Sequence, residues 1–174
     1  MSSVPPIPTP DMRIDVVNEL DEKVGEALRS EVLPAAKNFH TAHLFLFDET
    51  GLLLLQQLGA NRERHPLKWG ASVAAYLFAD ETYEAAIRRR AQQELGVMVE
   101  PALVGKTQML DGSSTKFVSL FAAVFSGDLM PDPQRVEAVR LMTLDEVTAA
   151  MRSSPEDFTP TFRHIFPFYL RARS

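Results

Sequence analysis

Apolar positions along this chain follow two rhythms. Short apolar runs bounded by turn residues predict strands, and one stretch with a four-residue beat predicts a helix. Met12–Val17 and Lys23–Leu28 read as strands, with Asn18-Glu19-Leu20-Asp21 as the turn of a hairpin. Residues 29–38 read as a loop or helical turn. His40–Phe47 and Leu52–Leu58 are apolar runs separated by Asp48-Glu49-Thr50-Gly51, a second hairpin signal in which Gly51 supplies the positive φ. Residues 59–67 are polar and irregular, an exposed connection, and Lys68–Leu77 reads as a strand.

The strongest helix signal follows. Thr82 is placed to cap its start, and Glu84 complements the dipole in the first turn. Tyr83, Ile87, Ala91 and Leu95 form one apolar stripe, and Gly96 ends it. Strands follow at about 103–110 and 115–125, joined by Asp111-Gly112-Ser113-Ser114, and another fits Val136–Met142. Thr143-Leu144-Asp145-Glu146 matches a capping box, so a helix starts there. Phe158–Ala172 reads as a final helix that Pro167 has to kink or break. Strands interleaved with few helices, several joined by hairpins, define an α+β class with a mixed sheet. Pro5, Pro6, Pro8 and Pro10 set residues 1–11 apart as an extended N-terminal arm, which leaves 12–174 as a single domain including a C-terminal helix.

Composition narrows the chemistry. With 174 residues, 45% of them hydrophobic, the chain carries a core without needing staples. It has no cysteine, which excludes disulfides, thiolate metal sites and cysteine nucleophiles. Its 18 basic and 23 acidic residues give a net charge of −5, a poor basis for generic binding to nucleic acid or an anionic membrane. The longest apolar run, Val73–Ala79, falls far short of the about 20 residues a membrane span needs. The opening MSSVPPIPTP has neither a basic nor an apolar leader region, so a cytoplasmic protein is expected.

Residues 69–97 carry the chemistry: WGASVAAYLFADETYEAAIRRRAQQELGV. The segment resembles the signature of the Nudix superfamily, Gly-x5-Glu-x7-Arg-Glu-U-x-Glu-Glu-U-Gly-U, where U is aliphatic. Glu81, Arg89, Glu94, Leu95, Gly96 and Val97 fix the register. The resemblance implies the Nudix α/β/α sandwich, a mixed β-sheet between helices, with the signature loop and helix beside a cleft. It also implies hydrolysis of a nucleoside diphosphate derivative with Mg²⁺ or Mn²⁺, and gives Glu81, Arg89 and Glu94 as the catalytic candidates.

Departures from the signature change that expectation. The box glycine is Ala75, the glutamate after the box arginine is Arg90, and the first paired glutamate is Gln93. Pyrophosphate hydrolysis needs divalent metal to neutralise developing charge and to orient or ionise water. Mg²⁺ wants oxygen ligands, mainly carboxylates and waters. Positions 90, 93 and 94 share one helix face, which reads Arg, Gln, Glu: a net charge of zero where a metal site wants about −3. Arg90 and Glu94 are spaced for an ion pair, with the guanidinium standing roughly where the metal would stand. A fixed cation still attracts phosphate but cannot ionise water as a metal does. Metal binding at Glu94 and Glu81 is therefore expected to be weak and hydrolysis impaired. The alternative is a non-catalytic Nudix-fold protein that binds a nucleotide or diphosphate.

A more distant resemblance is to isopentenyl diphosphate isomerase, whose box also reads Arg-Arg-x-x-x-Glu-Leu-Gly. That branch uses a cysteine, a Gly-His pair and a Glu-x-Glu. Here the corresponding stretches read Ala74-Ala75-Tyr76 and Ser114-Thr115-Lys116, so its activity is not expected. Among weaker candidates, Trp69 is a candidate to stack on a ligand ring, and His65 in the polar loop to touch the ligand, with Arg90 as its anion partner. His40 and His43 start a strand, where their spacing sends them to opposite sides and argues against a shared metal. His164 reads as structural. Glu63, Glu84 and Glu100 are the carboxylates available as replacements. Phe158, Phe162, Phe166 and Phe168 enrich the last helix, and any left exposed would mark a homodimer interface.

Overall fold

The structure, a computed structural model, describes residues 12–173, so the Pro-rich arm lies outside the described residues. Its centre is β3 (Phe39–Phe47), buried on both faces over most of its length. That burial explains why its apolar run is nearly continuous rather than alternating. Ala42, Leu44 and Leu46 face one core cluster, and Phe45 faces another. Four more strands frame it: β4 (Leu53–Leu58), β6 (Val73–Tyr76), β7 (Ala102–Asp111) and β8 (Ser114–Val124). Two short or peripheral strands, β5 (Trp69–Gly70) and β9 (Val136–Met142), complete a seven-stranded mixed sheet.

The pairing of β3 positions the cleft. Along one edge β3 runs parallel to β8 over its whole length. Its other edge is shared. Residues Thr41–Leu44 pair with β6, whereas Leu46 and Phe47 pair with β4. Beyond Leu54, the edge of β4 that faced β3 pairs with β5 instead, while its other edge pairs with β9 from Leu53 to Leu58. Where the ladder branches, Ser72 substitutes for it. Its hydroxyl accepts from Leu46 N at 2.8 Å, and its carbonyl accepts from Gln56 Nε2 at 3.0 Å. Buried backbone groups are thereby satisfied where no strand can reach them. This crossing also explains why the expected strand Lys68–Leu77 is broken into β5 and β6.

Helix α2 (Tyr83–Leu95) covers one face of the sheet. Thr82 caps it through Ala85 N at 3.1 Å, and Gly96 closes it in the left-handed region at φ +64°. Ile87, Ala91 and Leu95 are fully buried, as their spacing predicts. The other face is covered by α3 (Leu144–Ser153), which has the expected capping box at Thr143, and by α4 (Pro160–Arg173). Two helical layers flanking a mixed sheet are the α/β/α sandwich.

The last helix begins two residues later than the sequence predicts, with the Thr159 hydroxyl accepting from Phe162 N. It continues through Pro167, because Phe162, Ile165 and Phe166 before it and Phe168, Tyr169 and Leu170 after it pack on one core. Phe158, Phe162 and Phe166 are buried, and Phe168 is half-buried. They leave no exposed aromatic face of the kind on which the homodimer expectation rested.

An antiparallel hairpin, β1 (Arg13–Val17) and β2 (Lys23–Leu28), precedes the sheet. With the four-residue helix α1 (Arg29–Val32), it forms a third cluster of Ile14, Ala27, Val32 and Phe39. The hairpin also grips the loop before α2: Ile14 bridges Phe78, Ala79 N donates to Arg13 O, and Asp80 N donates to Asp15 Oδ1. Among the described residues no helix is long and apolar enough to cross a membrane.

Candidate functional site

A cavity of about 310 Å³ opens where β4 and β6 diverge, between α2, the 59–68 connection and the start of α4. Its described wall carries six cations, Arg29, Arg62, Arg64, Arg89, Arg90 and Lys116, against two carboxylates, Glu63 and Glu94. Ala71, Ala74, Ala75, Leu58 and Phe162 supply apolar surface between them.

At one end stands Glu94, only 1% exposed. Arg62 Nη2 lies 2.6 Å from its Oε2, and Arg90 Nη2 lies 3.2 Å from the same oxygen. Gln56 Nε2 donates to Oε1 at 3.4 Å. The i, i+4 pair expected from sequence is therefore present, and a second guanidinium from the polar connection joins it. Arg62 also donates to Arg135 O at 3.3 Å, which moors the connection to the strand edge. Arg90 is 4% exposed, and that burial lowers its pKa to about 10 although Glu94 pulls the other way. Burying a guanidinium costs free energy that its carboxylate partner offsets only in part.

Arg89 lines the cavity beside this group. It is fixed by two N–H donors to Glu81, at 2.8 and 2.9 Å, by a third bond to Tyr76 O, and by stacking on the Phe78 ring at 3.7 Å. Glu81 itself does not line the cavity. Its Oε1 also accepts from Phe78 N at 3.0 Å, so it shapes the loop and holds Arg89.

The other end is built by Lys116, Thr161, His43 and His65. Lys116 Nζ donates to Thr161 Oγ1 at 2.6 Å and lies 3.5 Å from Asp111 Oδ2. Arg64 clasps the same Asp111 through two bonds of 2.7 and 3.0 Å. Burial lowers the Lys116 pKa against the pull of Asp111. Burial is also what drives the His43 pKa down to about 3, with Lys116 adding to it, so the imidazole is neutral. His65 is shifted down too, by burial and then by Arg64.

Of the residues singled out from sequence, Arg89, Arg90, Glu94 and His65 thus share one cavity. Trp69 does not line it. Its ring packs with the core under α3 and α4, and borders a separate pocket of about 160 Å³ with Leu55, Arg140 and Met142. That position follows from β5 pairing with β4, which turns Trp69 to the face away from α2. His40 and His43 point to opposite sides as predicted: His40 meets Asp21 Oδ1 at 3.0 Å and Tyr83, outside the cavity. His164 bonds Thr107 at 3.0 Å, in keeping with a structural part. Of the spare carboxylates, Glu63 lines the cavity 3.7 Å from Arg29, Glu84 is exposed, and Glu100 pairs with exposed Arg88. Arg62, Lys116 and Thr161 were not singled out. The signal for Arg62 was a polar loop with alternating arginines, Asn61-Arg62-Glu63-Arg64; for Lys116 it was a charge inside an apolar strand run.

The sandwich, the cleft beside the box helix and the signature residues define a class, and the comparison with known proteins agrees. Residues 37–162 match the NUDIX domain, and the chain belongs to that family. It is 31% identical over 160 residues to an uncharacterized Nudix hydrolase of Listeria monocytogenes, covering 85% of this chain and 88% of the relative. It is 30% identical over 156 residues to the isopentenyl-diphosphate Delta-isomerase of Nocardia farcinica, covering 86% and 89%. The crystal structure of DR0079 from Deinococcus radiodurans superposes with a TM-score of 0.71 at 24% identity, over 81% of this chain and 89% of the other.

The family implies a divalent ion at the box, and the residues here do not fit one. Position 90 presents a cation, position 93 a neutral amide, and Glu94 is held by two guanidinium groups. Among the described residues, the carboxylates close enough together to hold an ion are Asp15, Glu26 and Asp80. Lys23 sits among those three, and none lines the cavity.

Proposed function

We propose that this chain takes a nucleoside diphosphate derivative into the cavity and hydrolyses it weakly, as a Nudix-type hydrolase whose box centre is impaired. One observation carries the reading: Glu94, the box carboxylate that faces the cavity, is held by Arg62 and Arg90. Guanidinium groups match phosphoryl oxygens in geometry and charge, so the wall suits a diphosphate. They neutralise developing charge but do not lower the pKa of a bound water, which is why turnover is expected to be slow. Lys116, Thr161 and His65 offer polar contacts to the remainder of the ligand, and specificity comes from that end. Membership of the family and a relative named for acting on isopentenyl diphosphate both support an organic diphosphate. Isomerisation is not proposed, since this chain has no cysteine. A net charge of −5 argues against generic binding to nucleic acid or an anionic membrane, and a cytoplasmic location stays part of the reading.

The test is a screen of nucleotide derivatives with Mg²⁺ or Mn²⁺, using Glu94→Gln as the control. Slow hydrolysis of one member is expected. Fast Mg²⁺-dependent hydrolysis abolished by Glu94→Gln would mean that the box acts as an intact metal centre. Saturable binding without any turnover would establish the non-catalytic binding protein instead.

A further inference from the structure

We propose that the cavity binds a diphosphate oxyanion without metal, on the guanidinium groups of Arg62 and Arg90, and that Glu94 is an internal counter-ion which the ligand displaces. The proposal rests on the reading of the cavity as a diphosphate site, and concerns how that anion is held.

The unsatisfied donors are the first support. Arg62 Nε, Arg90 Nε, Arg89 Nη1 and Arg29 Nε are all buried and have no hydrogen-bond acceptor among the described residues, and all four residues line this one cavity. Buried N–H groups in folded proteins nearly always have partners, so four on residues of one wall mark that wall as rich in cations and short of acceptors. The second support is convergence. Arg62 and Arg90 come from different elements, a loop and a helix, yet both reach Glu94 Oε2, at 2.6 and 3.2 Å. Glu94 therefore stands where an oxyanion would be held, and one carboxylate oxygen leaves most of ten guanidinium N–H donors unused. A diphosphate offers more acceptors and more charge. The third support is sign. A divalent cation near Glu94 would lie against Arg62 and Arg90, whereas an anion gains from both.

This reverses the role of Glu94. As a metal ligand it would be required for diphosphate binding; as an internal counter-ion it competes with the diphosphate.

Inorganic pyrophosphate, titrated calorimetrically in EDTA, decides between the two. The wild type should bind, and replacing EDTA with Mg²⁺ should not tighten binding. Glu94→Gln, which keeps shape and removes the competing charge, should bind about tenfold tighter or more. Arg62→Ala should bind about tenfold weaker or worse, while Arg88→Ala, an exposed arginine outside the cavity, should match the wild type. Weaker binding by Glu94→Gln, or wild-type binding that needs Mg²⁺, overturns the proposal. If Glu94→Gln does not fold, the Arg62→Ala titration decides, and unchanged affinity there overturns it. A nucleotide panel without turnover would sink the hydrolase reading and leave this proposal standing. Pyrophosphate binding that requires Mg²⁺ would do the opposite.

Discussion

Restoring the signature is the sharpest probe of the box. The double change Arg90→Glu and Gln93→Glu returns three carboxylates to one helix face. Counting Arg62, Arg90 and Glu94, the native group carries one net positive charge; in the variant, Arg62 against three carboxylates leaves two negative charges. A divalent ion at about 4 Å from a unit charge feels about 2 kcal/mol even at the dielectric of water. A change of three units is then worth about 6 kcal/mol. Side-chain retreat and solvent screening remove about half of that, leaving about 3 kcal/mol, or about a hundredfold in Mg²⁺ affinity. Without metal, three clustered acids in a buried setting should lower the melting temperature, and Mg²⁺ should recover it. The assay is a calorimetric Mg²⁺ titration of both proteins at matched pH and salt, with melting curves alongside. Tight Mg²⁺ binding by the wild type, unchanged in the variant, would show that the ligands lie outside the box and that Arg90 is not standing in for metal.

Two further outcomes concern stability. Leu95 is fully buried under the sheet, so Leu95→Ala should cost about 2–5 kcal/mol in chemical denaturation; a loss below about 0.5 kcal/mol would mean that α2 docks differently. His43 is buried neutral with its pKa lowered to about 3, so between that value and about 6.5 the unfolded chain binds the extra proton. Stability contributed by the neutral imidazole is thus complete above about pH 6.5 and falls as pH drops, at up to about 1.4 kcal/mol per pH unit. In His43→Asn this limb should flatten, and parallel pH–stability curves for the two proteins would contradict the assignment.

How much of this was written in local sequence depends on the distance over which each feature is decided. The box helix was legible because its stripe, its Thr82 cap and its Gly96 stop lie within fifteen residues and need no partner to be recognised. So was the opposition of His40 and His43, a matter of strand periodicity. The Arg90–Glu94 pair followed from helical spacing. Arg62 did not, because its bond to Glu94 spans 32 residues and depends on where an irregular connection folds back. The place of Trp69 outside the larger cavity was hidden for a related reason. Which face a residue takes in a two-residue strand is set by pairing with β4, and the branch at Ser72 that divides β5 from β6 has no periodic signature. Lys116 was hidden in plain view: a charge in an apolar strand reads as a solvent-facing position until the start of α4 closes over it.

The N-terminal hairpin has a practical consequence for anyone trimming the chain. The span that matches the family begins at residue 37, after β1, β2 and α1 have ended, and stops at 162, within the first turn of α4. Yet Ile14, Ala27 and Val32 roof Phe39, Arg13 and Asp15 brace the loop that carries Glu81, and Ile165 and Phe166 seal the core around Phe45. A fragment cut at the recognised borders would keep every signature residue and lose both the brace of the loop that presents Arg89's partner and part of the floor of the sheet. Inactivity in such a fragment would report on missing scaffolding and would say nothing about the chemistry of the box.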